Sequence, residues 1–240
     1  MVGAGLSFLP AMELRSSQDI WVVIAAYNEA KVIASVVADV KSTGHRVVVV
    51  DDGSKDDTAG IAAGAGATVI RHPINLGQGA ALQTGLDYAL ARGAEVIVTF
   101  DADGQHRAAD IAGLVDALAR DRADYALGSR FLGTSVNLPP SRRLLLRAAT
   151  WFTRATTGLN ITDSHNGLRA MTRRGADRIH LRQNRMAHAS EILHQIATSG
   201  LKYVETPVTI HYSDYSLAKG QTLFDALLIV LDLFARRLHR

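Results

Sequence analysis

Short apolar runs alternate with amphipathic segments through the first half of the chain. Each run has the length of a buried strand, and the segments between the runs repeat apolar residues at helical spacing. The predicted strands cover residues 21–25, 46–50, 67–71, 95–100 and 125–128, and the predicted helices begin at Asn28, Asp56, Gly79 and Asp110. Strands that alternate with helices of about 12 residues indicate an α/β protein with a mostly parallel central sheet flanked by helices.

The second half has a different pattern. After the proline pair at 139–140, the sequence predicts a basic amphipathic helix over 141–157 and a polar loop over 163–169. A helix over 188–198 and an alternating strand over 202–212 follow. A second polar loop carries Lys219, and the last predicted helix, 222–238, has an apolar stripe that ends in arginines. No segment resembles a linker, so we expect one domain over 20–220, an N-terminal extension over 1–19 and a C-terminal amphipathic helix over 221–240.

Polar residues stand where four successive predicted strands end. They belong to four short segments: Tyr27-Asn28-Glu29, Asp51-Asp52, Asn75-Leu76-Gly77 and Asp101-Ala102-Asp103. Because ligands of such sheets bind at the carboxyl ends of the strands, we expect one cleft lined by all four segments.

Composition narrows the chemistry. Hydrophobic residues make up 48% of the 240 residues, which is enough for a substantial core, and there is no cysteine. Disulfides and thiolate metal sites are therefore excluded, and a metal would have to bind oxygen or imidazole ligands. The net charge of +3 is too small to indicate nucleic acid, so we predict no nucleic-acid partner. No run reaches the ~18 uninterrupted apolar residues that a membrane span needs.

The sharpest motif is the segment from Asp101 to His106, DADGQH. Two carboxylates on alternate residues at a strand end suit a hard divalent cation, which would neutralise a diphosphate. A turn followed by a helix start would use the same residue types, so the motif alone leaves both interpretations open. Two interpretations, ligand contact or a tight turn, also stay open for Asp51-Asp52-Gly53-Ser54. The glycines of the loop at 75–79 either allow close backbone approach to a ligand or only start a helix.

Taken together, the motifs resemble those of family 2 glycosyltransferases, in particular the dolichyl- or polyprenyl-phosphate mannose synthase-like branch. The resemblance covers about residues 20–220 and is carried by five ordered segments: Tyr27–Glu29, Val50–Ser54, Asn75–Gly79, Phe100–His106 and Gly128–Arg130. It implies a GT-A fold with a nucleotide-sugar-binding half over 20–130 and an acceptor-binding half over 131–220.

The resemblance also assigns site residues. Those implied to bind the nucleotide-sugar are Ala25, Tyr27, Glu29, Asp52, Gly77, Asp101, Ala102 and Arg130. Those implied to hold Mg²⁺ or Mn²⁺ are Asp101, Asp103 and Gln105. The acceptor would contact Arg142, Arg143, Asp163 and Lys219, and the implied catalytic residues are Asp103, Arg130, Glu191 and Lys219.

Two segments depart from the family pattern. Ala25-Ala26 stand where the family usually has a proline, and the loop before Lys219 lacks the usual arginines. The second departure would move the binding of an acceptor phosphate onto Lys219, Arg142 and Arg143.

The reaction expected from this resemblance is inverting, metal-assisted transfer of a sugar from a UDP- or GDP-sugar to a polyprenyl phosphate. A phosphate nucleophile is already ionised near pH 7 and needs cations, whereas a hydroxyl acceptor needs a carboxylate base, for which Glu191 is the candidate. A soluble hydroxyl acceptor and a non-catalytic nucleotide-sugar-binding protein are the alternatives. We expect a peripheral protein at the cytoplasmic face of the cell membrane, with the last helix on the membrane surface or on a small membrane protein. A homo-oligomer stays open.

Overall fold

The computed structural model describes residues 19–183 and 187–213. In this part of the chain, one sheet has the strand order β3-β2-β1-β4-β6-β5-β7. The strands are β1 (Ile20–Ala26), β2 (Arg46–Asp51), β3 (Thr68–Arg71), β4 (Val96–Asp101), β5 (Tyr125–Val136), β6 (Arg169–Thr172) and β7 (Tyr203–His211). The helices are α1 (Ile33–Ser42), α2 (Thr58–Gly64), α3 (Gln78–Ala91), α4 (Asp110–Asp121), α5 (Pro140–Thr157), α6 (Arg173–Ala176) and α7 (Ala187–Thr198).

The sheet is buried on both faces, which explains why its central strands are continuous apolar runs. Val22 and Ile24 of β1 pack on one side with residues of α1 and α4. Trp21 and Val23 pack on the other side with residues of α3 and α7. The predicted architecture, a mostly parallel sheet flanked by helices, is therefore confirmed.

The strand β6 was missed by the sequence prediction, which placed a polar loop up to residue 169. β6 pairs antiparallel with both β4 and β5, so it lies between two strands that follow each other in the chain. Its four residues, Arg-Ala-Met-Thr, are too few and too mixed to show a strand period.

The start of α1 was also predicted wrongly. The helix begins at Ile33, and Asn28 adopts a left-handed conformation with φ 55°. The carbonyl of Glu29 instead accepts hydrogen bonds from the amides of Val32 and Ile33 in a tight turn. Asn28 has a side chain that tolerates this conformation and can bond to nearby backbone, so it belongs to the turn and is not the N-cap of the helix.

β5 is much longer than the predicted 125–128 segment. Its pairing with β7 shifts register between Ser129 and Thr134 and then continues to Val136. Gly133 lies against the backbone of Val208, where an added Cβ would stand 2.2 Å from the carbonyl oxygen. Arg130 lies in this irregular part of the strand and donates a hydrogen bond to the hydroxyl of Tyr212, which follows β7.

Among the helices of the described residues, none combines the length and the apolar character that a bilayer crossing requires. The expectations for Lys219, for the last helix and for residues 1–18 fall outside the described residues.

Candidate functional site

The turns after β1 and β2 are joined by backbone-to-side-chain hydrogen bonds. The amide of Asn28 donates to Ser54 Oγ over 2.9 Å, and the amide of Lys55 donates back to Asn28 Oδ1 over 2.8 Å. The amide of Glu29 donates to Thr58 Oγ1 over 2.8 Å. The turn at Asn28 and Glu29 is thus hydrogen-bonded to the residues that directly follow Asp51-Asp52.

Asp52 organises the glycine loop that follows β3. Its carboxylate accepts hydrogen bonds from the amides of Leu76, at 2.9 Å, and Gly77, at 2.7 Å, and from His72 Nδ1 at 2.8 Å. The second ring nitrogen of His72 lies 3.0 Å from Thr84 Oγ1 of α3. Asp52 and Gly77, both predicted to bind the nucleotide-sugar, are therefore in contact with each other.

Other residues predicted to bind the nucleotide-sugar lie at the ends of β1 and β4. Ala25 pairs with Asp101 across the β1–β4 ladder, and Ala102 is buried directly after it. Tyr27 keeps 37% of its surface exposed, whereas Glu29 is buried. An exposed aromatic ring and a buried carboxylate two residues apart are residue types that suit a nucleoside, which has a flat face and polar edges.

Asp101 is held by its own motif. His106 Nε2 lies 2.8 Å from Asp101 Oδ2, and the His106 ring meets Phe100 edge-on. The backbone of Gly167 approaches so closely that an added Cβ would stand 2.2 Å from the same carboxylate. Burial opposes ionisation of Asp101, but the hydrogen bond and charge of His106, together with nearby Arg169 and His188, hold its pKa below the ordinary value.

The pKa of Asp103 is shifted in the opposite direction. Burial, and after it the negative charge of Asp101, raise the pKa of Asp103 to about 6, and Glu29 adds to this effect. The Gln105 amide and side chain both donate to Asp103, at 3.1 and 2.8 Å. A cation bound between the two carboxylates would remove this repulsion.

A divalent cation fits this pair of carboxylates. Within residues 19–183 and 187–213, no three His, Cys, Asp or Glu side chains form a ready-made metal centre. Mg²⁺ commonly binds one or two carboxylates and completes its shell with substrate phosphates and water. Asp101 and Asp103 would supply those carboxylates, and Gln105, which here donates to Asp103, would have to turn its amide oxygen towards the ion.

A second cluster surrounds Arg130 on the acceptor side. Its Nε lies 2.6 Å from Asp163 Oδ2, its Nη2 donates to the His165 carbonyl over 2.6 Å, and its Nη1 donates to the Tyr212 hydroxyl. These bonds occupy one hydrogen on each guanidinium nitrogen. Arg130 and Asp163, predicted to contact substrates, here bind each other and join β5 to the residues before β6 and after β7.

Tyr212 links this cluster to α5. Its hydroxyl accepts from Arg130, and its ring lies 5.2 Å from the guanidinium of Arg142. Arg143 is exposed on the same helix. Arg142 thus lies beside the Arg130 cluster. Lys219 falls outside the described residues.

Glu191 is tied to backbone. Its carboxylate accepts hydrogen bonds from the amides of Arg182 at 3.1 Å and Gln183 at 2.9 Å. These bonds stabilise the segment before α7. The arrangement favours a positioning role for Glu191 over that of a general base.

The sequence reasoning assigned no role to two residues that organise the acceptor side. Glu205 accepts from the Thr162 amide at 2.8 Å and so holds the segment that carries Asp163. Tyr212 was noticed only as part of a loop without arginines. The alternating pattern of β7 could have identified Tyr212 as a buried residue. Its side chain follows Thr206, Val208 and Ile210 at every second position, and all four residues are buried.

Comparisons with known proteins extend this picture. The sequence model described as "Glycosyl transferase family 2" matches residues 21–179. The UDP-N-acetylglucosamine–dolichyl-phosphate N-acetylglucosaminyltransferase of Methanococcus voltae is 33% identical over 223 residues, which span 84% of this chain and 89% of that protein. The polyprenol monophosphomannose synthase of Mycolicibacterium smegmatis is 30% identical over 234 residues, 91% and 88% of the two chains.

A solved structure shares the fold. The glucosyl-3-phosphoglycerate synthase of Mycobacterium tuberculosis, crystallised with Mn²⁺, UDP-glucose and phosphoglyceric acid, superposes with a TM-score of 0.68. The match covers 90% of this chain and 79% of that one at 20% sequence identity. At this identity the likeness establishes the fold, which is of the GT-A type.

Proposed function

Because the chain belongs to glycosyl transferase family 2, we propose that it transfers a sugar from a nucleoside-diphosphate sugar to a polyprenyl phosphate, with inversion at the anomeric carbon. Two relatives support the acceptor class, since one is named for a dolichyl-phosphate acceptor and the other for a polyprenol phosphate product. The observation that carries the proposal is the pair Asp101 and Asp103, two carboxylates at the end of β4 that are held by His106 and Gln105.

The donor would lie across the ends of β1, β2 and β4. Tyr27, Glu29 and Asp52 would contact the nucleoside, and the diphosphate would lie beside Asp101 and Ala102. A Mg²⁺ or Mn²⁺ ion held by Asp101, Asp103 and Gln105 would supply neutralisation of the charge that develops on the leaving nucleoside diphosphate.

The acceptor would approach from the side of α5. A phosphate monoester is ionised at neutral pH, so the protein has to hold and orient it and does not have to deprotonate it. Arg142, Arg143 and Lys219 would bind its oxygens, and Arg130 would face them after exchanging one of its present partners. Asp163 holds the Arg130 guanidinium in place by accepting from its Nε and from its backbone amide. Burial opposes the charge of Arg130, but the charges and hydrogen bonds of Asp163 and Tyr212 raise its pKa.

Transfer to a soluble hydroxyl acceptor is less well supported. That reaction needs a free carboxylate near the acceptor oxygen. Glu191, the candidate base, accepts two backbone amides and would have to release the segment before α7 to act. Because polyprenyl phosphates are embedded in membranes, the proposed location of the protein is the cytoplasmic face of the cell membrane.

The test is a donor screen. The full chain is incubated with Mg²⁺ or Mn²⁺, a set of UDP- and GDP-sugars and a short-chain, water-soluble polyprenyl phosphate. We expect transfer from one donor, and we expect Asp103→Ala to reduce it by more than about 100-fold while nucleoside binding is retained. Transfer to a hydroxyl compound with none to the phosphate, or full activity of Asp103→Ala, would refute the proposal.

A further inference from the structure

The outer face of α5 carries large apolar side chains in water. Leu144 is 71% exposed and Trp151 is 72% exposed. They stand seven residues apart, two turns along the same side of the helix. Leu132, 51% exposed on the bulged part of β5, is another such residue in the neighbouring segment. Large exposed apolar side chains gathered in one region indicate a binding surface.

The charge on this face has one sign. Arg143, Arg147 and Arg154 of α5 are exposed. From Tyr125 to Thr162 the sequence contains no aspartate or glutamate, so no acid of this segment offsets the arginines. α5 packs on the protein through a narrow stripe, in which Thr150 and Thr153 are its buried residues. An amphipathic helix with arginines beside leucine and tryptophan has the composition of helices that lie in a membrane interface.

The position of the face agrees with its composition. The guanidinium of Arg142, near the start of α5, lies over the Tyr212 ring of the acceptor side. The guanidinium of Arg147 lies 5.8 Å from the Phe131 ring, next to Arg130. A flat anionic surface against Leu144 and Trp151 would therefore place its headgroups beside the candidate acceptor cations.

We propose that the outer face of α5, centred on Leu144 and Trp151, binds the surface of a bilayer that contains anionic phospholipids. The inference rests on the proposed function in one respect, since the bilayer is where a polyprenyl phosphate is found. A second copy of the chain fits less well, because a two-fold contact through this face would bring arginines of like charge together.

The experiment measures co-sedimentation of the full chain with vesicles of phosphatidylcholine, with and without phosphatidylglycerol. Arg147→Gln/Arg154→Gln removes two charges from the face, and Leu144→Ser/Trp151→Ser removes its apolar anchors. Arg122→Gln/Arg178→Gln is the matched control, because these arginines are exposed outside α5. All variants are also assayed for sugar transfer to the water-soluble, short-chain polyprenyl phosphate and for oligomeric state without lipid.

We expect wild type and control to bind the anionic vesicles, and each α5 variant to bind them at least about tenfold more weakly, since one basic residue near an anionic surface contributes about fivefold. Transfer to the soluble acceptor should be unchanged in all of them. Vesicle binding of the α5 variants at the wild-type level would overturn the proposal, and so would a wild-type dimer that these substitutions dissociate. A chain that binds vesicles through α5 and transfers no sugar to the short-chain polyprenyl phosphate would refute the proposed function alone.

Discussion

His106 is the residue whose role changes most between sequence and structure. Only 3% of its side chain is exposed, and its Nε2 must carry the hydrogen shared with Asp101, because a carboxylate can only accept. Its Nδ1 is buried and has no hydrogen-bond partner among the described residues. The ring therefore acts on the site through one atom, by fixing the orientation of the Asp101 carboxylate.

Two substitutions of His106 separate this positioning role from simple packing. The side-chain amide nitrogen of glutamine stands as many bonds from Cα as Nε2 does, whereas that of asparagine corresponds to Nδ1. We expect His106→Gln to keep Mn²⁺-dependent binding of the nucleoside diphosphate, and His106→Asn to weaken it by about 10- to 100-fold, as loss of a metal-ligand support does. Calorimetric titration without acceptor measures this. Equal loss in both variants would contradict the role.

His165 predicts a dependence of stability on pH. Burial, with the charges of Arg130 and Arg169 and against that of Asp163, lowers its pKa from 6.5 to about 4. Between these values the unfolded chain binds a proton that the folded chain does not, so stability falls as the pH drops from 6.5 towards 4.

The corresponding measurement is urea unfolding at pH 7 and pH 5. Between pH 7 and pH 5, the free energy of unfolding of His165→Gln should fall by about 1 kcal/mol less than that of the wild type. The expected difference is small because the His165 ring is partly exposed to solvent. His194→Gln, at an exposed histidine of α7, is the control and should follow the wild type. A wild-type slope in His165→Gln would show that other groups cause the acid sensitivity.

At the scale of elements, the turn after β2 and the loop after β3 are packed together through Gly53. Its φ is 70°, and an added Cβ would stand 2.6 Å from the Ile74 carbonyl carbon. A side chain at residue 53 would be strained by the positive φ and would collide with the backbone of the loop after β3. The close contact of Gly53 with this loop places Asp52 against the amides of Leu76 and Gly77.

Gly53→Ala should therefore destabilise the protein by about 2–4 kcal/mol and weaken nucleoside binding. Gly64→Ala is the matched change, since nothing lies within 4 Å of its added Cβ at the end of α2, and it should be neutral or stabilise by up to about 1 kcal/mol. Denaturant unfolding of the two variants checks both values. Equal stability of the two variants would mean that the β3–α3 loop can move away at little cost.

The elements that could be predicted from sequence are those with a local signal. β1, β2 and β4 have long apolar runs, and the turns that follow β1 and β2 are hydrogen-bonded to each other, while the loop after β3 is hydrogen-bonded to Asp52. β6 and the left-handed turn at Asn28 have no such signal, because contacts across the sheet and with the turn after β2 determine them. The carboxylates Asp101 and Asp103 could be identified because they belong to one short motif. The contacts between Tyr212, Arg130 and Arg142 could not, because they join parts of the chain that are distant in sequence.

At the scale of the whole molecule, the predicted halves 20–130 and 131–220 share one sheet. β5 runs across residue 130, and β6, from the second half, separates β5 from β4. A chain cut after residue 130 would keep only the first part of β5. That part would lack both of its neighbouring strands, β6 and β7.

We therefore expect residues 19–130 alone to lack a cooperative unfolding transition, and the full chain to unfold in one transition. Far-ultraviolet circular dichroism during urea titration compares the two. A cooperative transition in the isolated segment would show that the nucleotide-sugar half is an autonomous unit.

The position of β6 also has a consequence for biosynthesis. Val96 of β4 pairs with Thr172, so an apolar strand at the centre of the finished sheet has an open edge until a much later part of the chain has been made. At ordinary translation rates this interval lasts roughly 4 to 15 s. An unpaired apolar edge is a template for aggregation, so the nascent chain should depend on holding chaperones during that interval more than an all-parallel protein whose adjacent strands pair soon after synthesis.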